Sequence, residues 1–384
     1  MSSFAFQTVP HLVVEPGLAR RLGELLRERH AGRRAVLVTD GFLHRSGVLQ
    51  PALDSLAAHG WQTLVIDDVV ADPPEAVVEA AAQRARAFAA DLVIGFGGGS
   101  SMDVAKLVAV LCQDEQALSA MYGVNQVRVA RLPLIQVPTT AGTGSEVTPI
   151  SIVTTGATTK SGVVAPQLYA DAAYLDAELT VGLPAAATAA TGIDAMVHAI
   201  EAYTSKRLKN PLSDHLAVLA LRLLSANLLT ACRDGANLQA RSDMLLGAML
   251  AGQAFANAPV GGVHALAYPV GGIFHVPHGL SNALVLPAVL RFNAQAAAPL
   301  YAELGQAVGL PASADADSGA AAFIAFLEDL IRQAQLPQGL RAVGIGQEDL
   351  PALARSAMQQ QRLLMNNPLP IDEAQALAIY QAAY

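Results

Sequence analysis

Short apolar runs separated by helical stretches fill roughly the first 180 residues, and long amphipathic runs fill the rest. Ala35–Thr39, Gln62–Asp67, Asp91–Gly95 and Leu134–Val137 are rich in Val, Ile and Leu and bounded by polar residues, Gly or Pro, the pattern of strands buried on both faces. Between them, Pro51 to His59 and Pro74 to Ala89 read as helices, the second opening on a proline whose fixed φ suits a first turn. Strand and helix in alternation predict a parallel sheet flanked by helices. After Leu183-Pro184 the texture changes, with amphipathic runs over 185–205, 211–232, 238–256, 280–294, 296–307, 319–335, 348–360 and 371–383. That spacing predicts helices throughout. The expected organisation is an α/β domain over 1–183 and an all-α domain over 184–384.

A chain of 384 residues is long for one hydrophobic core, in keeping with two domains. Hydrophobic residues make up 53% and charged residues 15%, which excludes a disordered chain and implies large internal or intersubunit contacts, so a homodimer or higher homo-oligomer is expected. The net charge is −8 and no basic cluster is longer than Arg33-Arg34. Nucleic acid and anionic membrane surfaces therefore lack electrostatic support as partners, and a small molecule is expected instead. Two cysteines, Cys112 and Cys232, are too few for a disulfide framework, which fits a reducing, cytoplasmic setting. The N-terminus has no basic segment followed by an apolar run, and no uninterrupted apolar stretch approaches the ~20 residues needed to span a bilayer.

Candidate chemistry enters with Asp194, His198, His264 and His278. Asp194 and His198 lie four apart in a helix-compatible run, so their side chains share one helical face. His264 and His278 follow across a Gly- and Pro-broken segment, Gly261 to Gly279, whose breaks would let two imidazoles converge. One carboxylate and three neutral imidazoles suit Fe2+ or Zn2+ far better than Mg2+ or Ca2+.

In the first half, Gly95-Phe-Gly-Gly-Gly-Ser-Ser-Met-Asp-Val-Ala-Lys106 runs from a strand through glycines into a helix, a geometry that offers backbone N–H groups and a helix N-terminus to phosphate. The dinucleotide fingerprint G-x-G-x-x-G is not met, because position 100 is Ser. Pro138-Thr-Thr-Ala-Gly-Thr-Gly-Ser-Glu-Val-Thr148 leaves a further strand with many short hydroxyl donors. Asp40 closes the first strand, where it can accept from an adenosine ribose diol and repel a 2′-phosphate, so NAD is favoured over NADP.

These motifs, with Gly192-Ile-Asp-Ala-Met-Val-His198 and the His264 to His278 segment, resemble the iron-containing (group III) alcohol dehydrogenases across nearly the whole chain. The resemblance implies a dehydroquinate synthase-like fold, with an N-terminal α/β dinucleotide-binding domain and an all-α C-terminal domain. It further implies NAD contacts at Gly97, Gly98, Ser100, Thr139, Thr140, Ser145, Lys160 and Leu179, and Fe2+ at Asp194, His198, His264 and His278. The activity implied is hydride transfer between a small primary alcohol or diol and NAD. Many members carry a second histidine four residues after the third ligand, discussed as a proton relay, where this chain has Tyr268. A phenol with a pKa near 10 is a poorer base at neutral pH, and His275 is a second relay candidate. Tyr268-Pro269 also resembles the hydroxyacid-oxoacid transhydrogenase branch, so hydroxy or oxo acids are the alternative substrates. A dehydroquinate-synthase-type lyase is more remote, since the segments around the ligands contain almost no Lys or Arg.

Overall fold

The structure, a computed structural model, describes residues 3–113, 116–156 and 159–384. The strands are β1 Leu12–Val14, β2 Arg34–Asp40, β3 Gln62–Val69, β4 Leu92–Gly97, β5 Gly123–Val124, β6 Leu134–Pro138, β7 Ile150–Thr155, β8 Thr159–Val164 and β9 Ala172–Leu175. The helices of this half are α1 Leu22–Arg29, α2 Gly41–Ser46, α3 Gln50–Ala58, α4 Glu75–Ala87 and α5 Gly99–Leu111. Among the described residues, a six-stranded sheet runs in the order β1-β9-β6-β4-β2-β3, with its neighbouring strands paired parallel. Leu37, Ile94, Phe96, Ile135, Val137 and Tyr174 point from four of its strands into one buried cluster. Central strands with both faces covered have no polar side to alternate with, which is why they read as continuous apolar runs. A second sheet, β5-β8-β7, contains an antiparallel pair, β7 with β8. The alternating strand–helix pattern, which predicts parallel pairing only, did not anticipate it.

The second half is built from α6 Ala185–Thr204, α7 Pro211–Arg233, α8 Leu238–Asn257, α9 Gly262–Phe274, α10 His278–Ala307, α11 Ala316–Gln333, α12 Leu350–Ala357, α13 Gln361–Leu364 and α14 Glu373–Ala382. The chain divides into two compact units: Thr8–Thr140 with Gly144–Gly182, and the segment up to Gln7 with Ala141–Thr143 and Leu183–Tyr384. The main division between the units falls between Gly182 and Leu183. Two short pieces of the first half, however, pack with the helices.

Two expectations about this half are corrected. Gly261 to Phe274 is not a broken segment: α9 is one helix with Pro269 inside it. An interior proline costs roughly 3 kcal/mol, offset here by burial of Val263, Leu266 and Val270. The break comes later, at His275, whose left-handed backbone (φ 55°) ends the helix. Likewise the runs 280–294 and 296–307 form a single helix, α10, which passes through Pro287 and Pro299. By length and composition α7 and α10 are long and apolar enough to cross a membrane, although Arg222 and Arg291 interrupt their apolar runs.

Candidate metal centre and dinucleotide site

Three helices each present residues four apart: Asp194 and His198 on α6, His264 and Tyr268 on α9, and His278 and Asn282 on α10. Such pairs stand one turn above each other on the same face, so three helix faces meet at one point. Asp194 Oδ1 lies 3.6 Å from His278 Nε2, 3.7 Å from His264 Nε2 and 4.0 Å from His198 Nε2. The Nε2 atoms of His198 and His264 are 3.1 Å apart. Asp194, His198 and His264 are buried and offer ligand atoms within 4.8 Å of one another, as a bound cation requires. His278 closes the group from a more open side, its side chain 33% exposed. Gly279 allows this approach. A Cβ there would sit 2.4 Å from the backbone oxygen of Ala190 on α6.

Burial alone would raise the Asp194 carboxyl, but His198, His278, His264 and the Asn282 amide together hold it below the usual carboxylate range. Burial pushes the His198 imidazole down to about 3, against the pull of Asp194. The site therefore offers an ionised carboxylate and a neutral imidazole at neutral pH, the protonation states a divalent metal needs. The donor set of one oxygen and three imidazole nitrogens fits Fe(II) or Zn(II).

Around this core the structure adds residues that the sequence reading did not single out. Glu201 Oε2 lies 2.6 Å from His264 Nδ1. Asn282 Nδ2 donates to Asp194 Oδ1 at 2.6 Å. Phe255 stacks on His198 with ring centroids 4.3 Å apart and an interplanar angle of 21°. A signal existed for two of them: Glu201 continues the Asp194–His198 face at i+7, and Asn282 follows His278 by four. Nothing in sequence spacing marks Phe255. Of the two relay candidates, Tyr268 stands beside the cluster, its ring centroid 6.4 Å from that of His264 and 5.9 Å from that of His278. His275 is exposed at the helix-ending turn.

The residues expected to hold the dinucleotide divide into two groups. Asp40, Gly97 with Gly98, and Thr139 with Thr140 lie at the carboxyl ends of β2, β4 and β6, which are adjacent in the sheet. The chain leaves β2 for β3 on one side and returns to β4 on the other, and ligands in open α/β sheets bind outside such a switch point. Gly97 lets the turn close, since a Cβ there would meet Ser101 Oγ at 2.7 Å. Ser100 sits in the first turn of α5, whose N-terminus has no side-chain cap and so presents its N–H groups to an anion.

The other three residues make contacts within the protein. The Ser145 hydroxyl donates to Asp103 Oδ1 at 2.6 Å and accepts from Lys106 Nζ at 2.7 Å. Lys106, Ser145 and Glu146 are buried and Asp103 is nearly so: burial raises the Asp103 and Glu146 carboxyls, Glu146 to about 7, and lowers the Lys106 ammonium. Lys160 Nζ pairs with Asp72 Oδ1 at 2.6 Å, and Leu179 belongs to the apolar cluster of the sheet. Asp40 already has one task. Its Oδ1 caps α2 by accepting from Phe42 N and Leu43 N, both at 2.9 Å, which leaves Oδ2 for a ribose. Because glycine is a fair N-cap, Asp40→Gly should cost only about a few tenths of a kcal/mol in stability. The ratio of kcat/KM with NADP to that with NAD should rise at least roughly tenfold, about 1.4 kcal/mol. An unchanged ratio would show that Asp40 does not read the ribose.

Two family models match in register. The C-terminal model of the Fe-containing alcohol dehydrogenase family covers residues 188–384, and the iron-containing alcohol dehydrogenase model covers residues 10–177. The chain belongs to the iron-containing alcohol dehydrogenases. Among relatives of this iron-containing alcohol dehydrogenase, long-chain-alcohol dehydrogenase 1 of Geobacillus thermodenitrificans is 42% identical over 93% of this chain and 91% of its own length. A crystal structure of 1,3-propanediol oxidoreductase superposes with a TM-score of 0.96 at 33% identity, covering 100% of both chains. Sulfoacetaldehyde reductase from Bifidobacterium kashiwanohense, solved in complex with NAD+, superposes with a TM-score of 0.89 at 28% identity, covering 100% of this chain and 99% of that one. Family membership makes the chain an alcohol dehydrogenase rather than a lyase of the dehydroquinate-synthase type, and implies use of a metal and of NAD.

Proposed function

We propose that this alcohol dehydrogenase oxidises small uncharged primary alcohols or diols with NAD, and reduces the matching aldehydes, with Fe(II) held by Asp194, His198, His264 and His278. The observation that carries this reading is the convergence of Asp194 Oδ1 with three imidazole Nε2 atoms. A divalent cation there supplies Lewis acidity toward an alcohol oxygen, and NAD supplies the hydride acceptor. The protein contributes the rest. Burial beneath Phe255 keeps the His198 imidazole neutral, and Tyr268, beside His264 and His278, would move the alcohol proton. The exposed His275 has no comparable position.

A neutral substrate is favoured by where the cations are. Residues 190–202 and 252–283 contain no Lys or Arg. Arg241 is buried and spends its guanidinium on Thr188 Oγ1 at 2.8 Å, Gly235 O at 3.0 Å and Leu183 O at 3.1 Å. Arg222 donates to Ala307 O at 2.8 Å, and Arg291 pairs with Glu328. A substrate carboxylate would find no cation in the ligand-bearing segments themselves, and desolvating it unpaired costs several kcal/mol. The test is a screen of primary alcohols, diols and 2- and 4-hydroxy acids with NAD after anaerobic Fe(II) loading. The alcohol or diol should exceed the hydroxy acid of the same skeleton by roughly tenfold or more in kcat/KM. A hydroxy acid ranked first by that margin would favour the second reading, a hydroxy- or oxo-acid enzyme, for which the sulfoacetaldehyde reductase among the relatives is the precedent for an anionic substrate.

A further inference from the structure

The first N–H groups of a helix have no partner within it, and in α9 they are satisfied from far away in the chain. Gly262 N donates to Asn367 Oδ1 at 3.1 Å, and Val263 N donates to Glu201 Oε1 at 2.7 Å. The second oxygen of the same carboxylate, Oε2, lies 2.6 Å from His264 Nδ1. Glu201 is 6% exposed, so one buried side chain spans the backbone at the start of α9 and the ring carried on its first turn. An ionised carboxylate only accepts. Both its neighbours must therefore be donors, which puts the His264 proton on Nδ1 and leaves the Nε2 lone pair facing Asp194 and His198.

We propose that Glu201 is a positioning residue of the metal centre: it locks His264 in the Nδ1–H tautomer and fixes the ring to the first turn of α9, so metal affinity depends on a side chain outside the ligand set. The inference rests on reading Asp194, His198, His264 and His278 as ligands. Metal-bound histidines commonly donate their other N–H to such a partner, whose loss costs about 10–100-fold in metal affinity.

Glutamine separates this role from simple packing. Glu201→Gln keeps the shape but offers one acceptor to two donors. If its carbonyl takes the Val263 N–H, its amide N–H2 faces His264 Nδ1 and drives the ring proton to Nε2, closing the lone pair. If the carbonyl takes His264 instead, the amide meets the Val263 N–H donor to donor. Either way the clamp opens. Zn(II) affinity, measured by competition against a chromophoric chelator, should weaken by about 10–100-fold in E201Q, with circular dichroism unchanged. Wild type should bind one equivalent and H264A none. Wild-type affinity in a folded E201Q, with H264A empty, overturns the role of Glu201 and leaves the metal site standing. A wild type that binds no metal, or an H264A that binds as tightly as wild type, overturns the underlying site. A measurement on the unaltered protein covers the case in which E201Q fails to fold. With 15N-histidine labelling and Zn(II) loading, long-range 1H–15N spectra should show His264 protonated at Nδ1, and a proton on Nε2 overturns the proposal.

Discussion

His264→Ala should empty the metal site and lower kcat/KM by about a thousandfold or more, equivalent to roughly 4 kcal/mol of barrier. The imidazole is buried and its Nε2 lies 3.1 Å from that of His198 and 3.7 Å from Asp194 Oδ1. Removing it takes away one of the three buried ligand positions, and the carboxylate of Asp194 then faces a hole open to water. The truncation also strands Glu201 Oε2, so a stability loss of about 1–3 kcal/mol is expected, too small by itself to explain a thousandfold loss in folded protein. Metal content by mass spectrometry, taken together with a thermal melt, separates the two effects. Full occupancy in a folded H264A would sink the assignment of the site.

The second large effect comes from a residue with no side chain. In Gly279→Ala the new methyl would lie 2.4 Å from Ala190 O, 2.8 Å from Ala190 C and 3.3 Å from Asp194 Cβ. The first two are backbone atoms of α6 and cannot swing aside as a flexible side chain would, so the first turn of α10 must retreat. Alanine is the better helix former by about 1 kcal/mol, and overpacking of about 1–3 kcal/mol works against that gain. The retreat carries His278 with it, away from Asp194. G279A should therefore lose thermal stability and, more sharply, metal affinity, with the loss in Tm larger for metal-loaded than for metal-free protein. A variant that keeps both wild-type affinity and wild-type Tm would show that close contact of these two helices does not set the site.

The legible parts of this molecule were those in which local pattern and burial agree. Central strands such as Ala35–Thr39 and Asp91–Gly95 announce themselves because both faces are covered, and the four-residue spacing of Asp194 and His198 needs nothing beyond helical geometry. Where local preference and tertiary packing disagree, reading from sequence failed. Paired glycines and Pro269 argue against a helix at 262–274, yet capping by Glu201 and Asn367 and burial of its apolar residues hold one there. Prolines at 287 and 299 similarly hid the continuity of α10. β1 and β9 are three and four residues long, too short for alternation to register. The protein partners of Lys160 and Ser145, Asp72 and the Asp103–Lys106 pair, come from distant stretches that no local window contains, so these contacts were not legible in the sequence. Phe255 acquires its place only when α8 brings it onto His198.

The small piece Ala141–Thr143 has a consequence for how the protein is made. It follows directly from Thr139 and Thr140, yet it packs with the helical unit, where a Cβ on Gly142 would lie only 2.7 Å from Thr191 Cβ. A nascent chain leaves the ribosome N-terminus first. All the strands of the sheet will have emerged while this loop still lacks the helix it rests on, because Thr191 is about fifty residues further along. The strands of the first half are thus all synthesised before the loop between them has its packing partner. A fragment cut at residue 183, the place a domain boundary invites, would carry the whole parallel sheet with a hydroxyl-rich loop left undocked, and ordering of that loop in the intact enzyme waits on the arrival of α6.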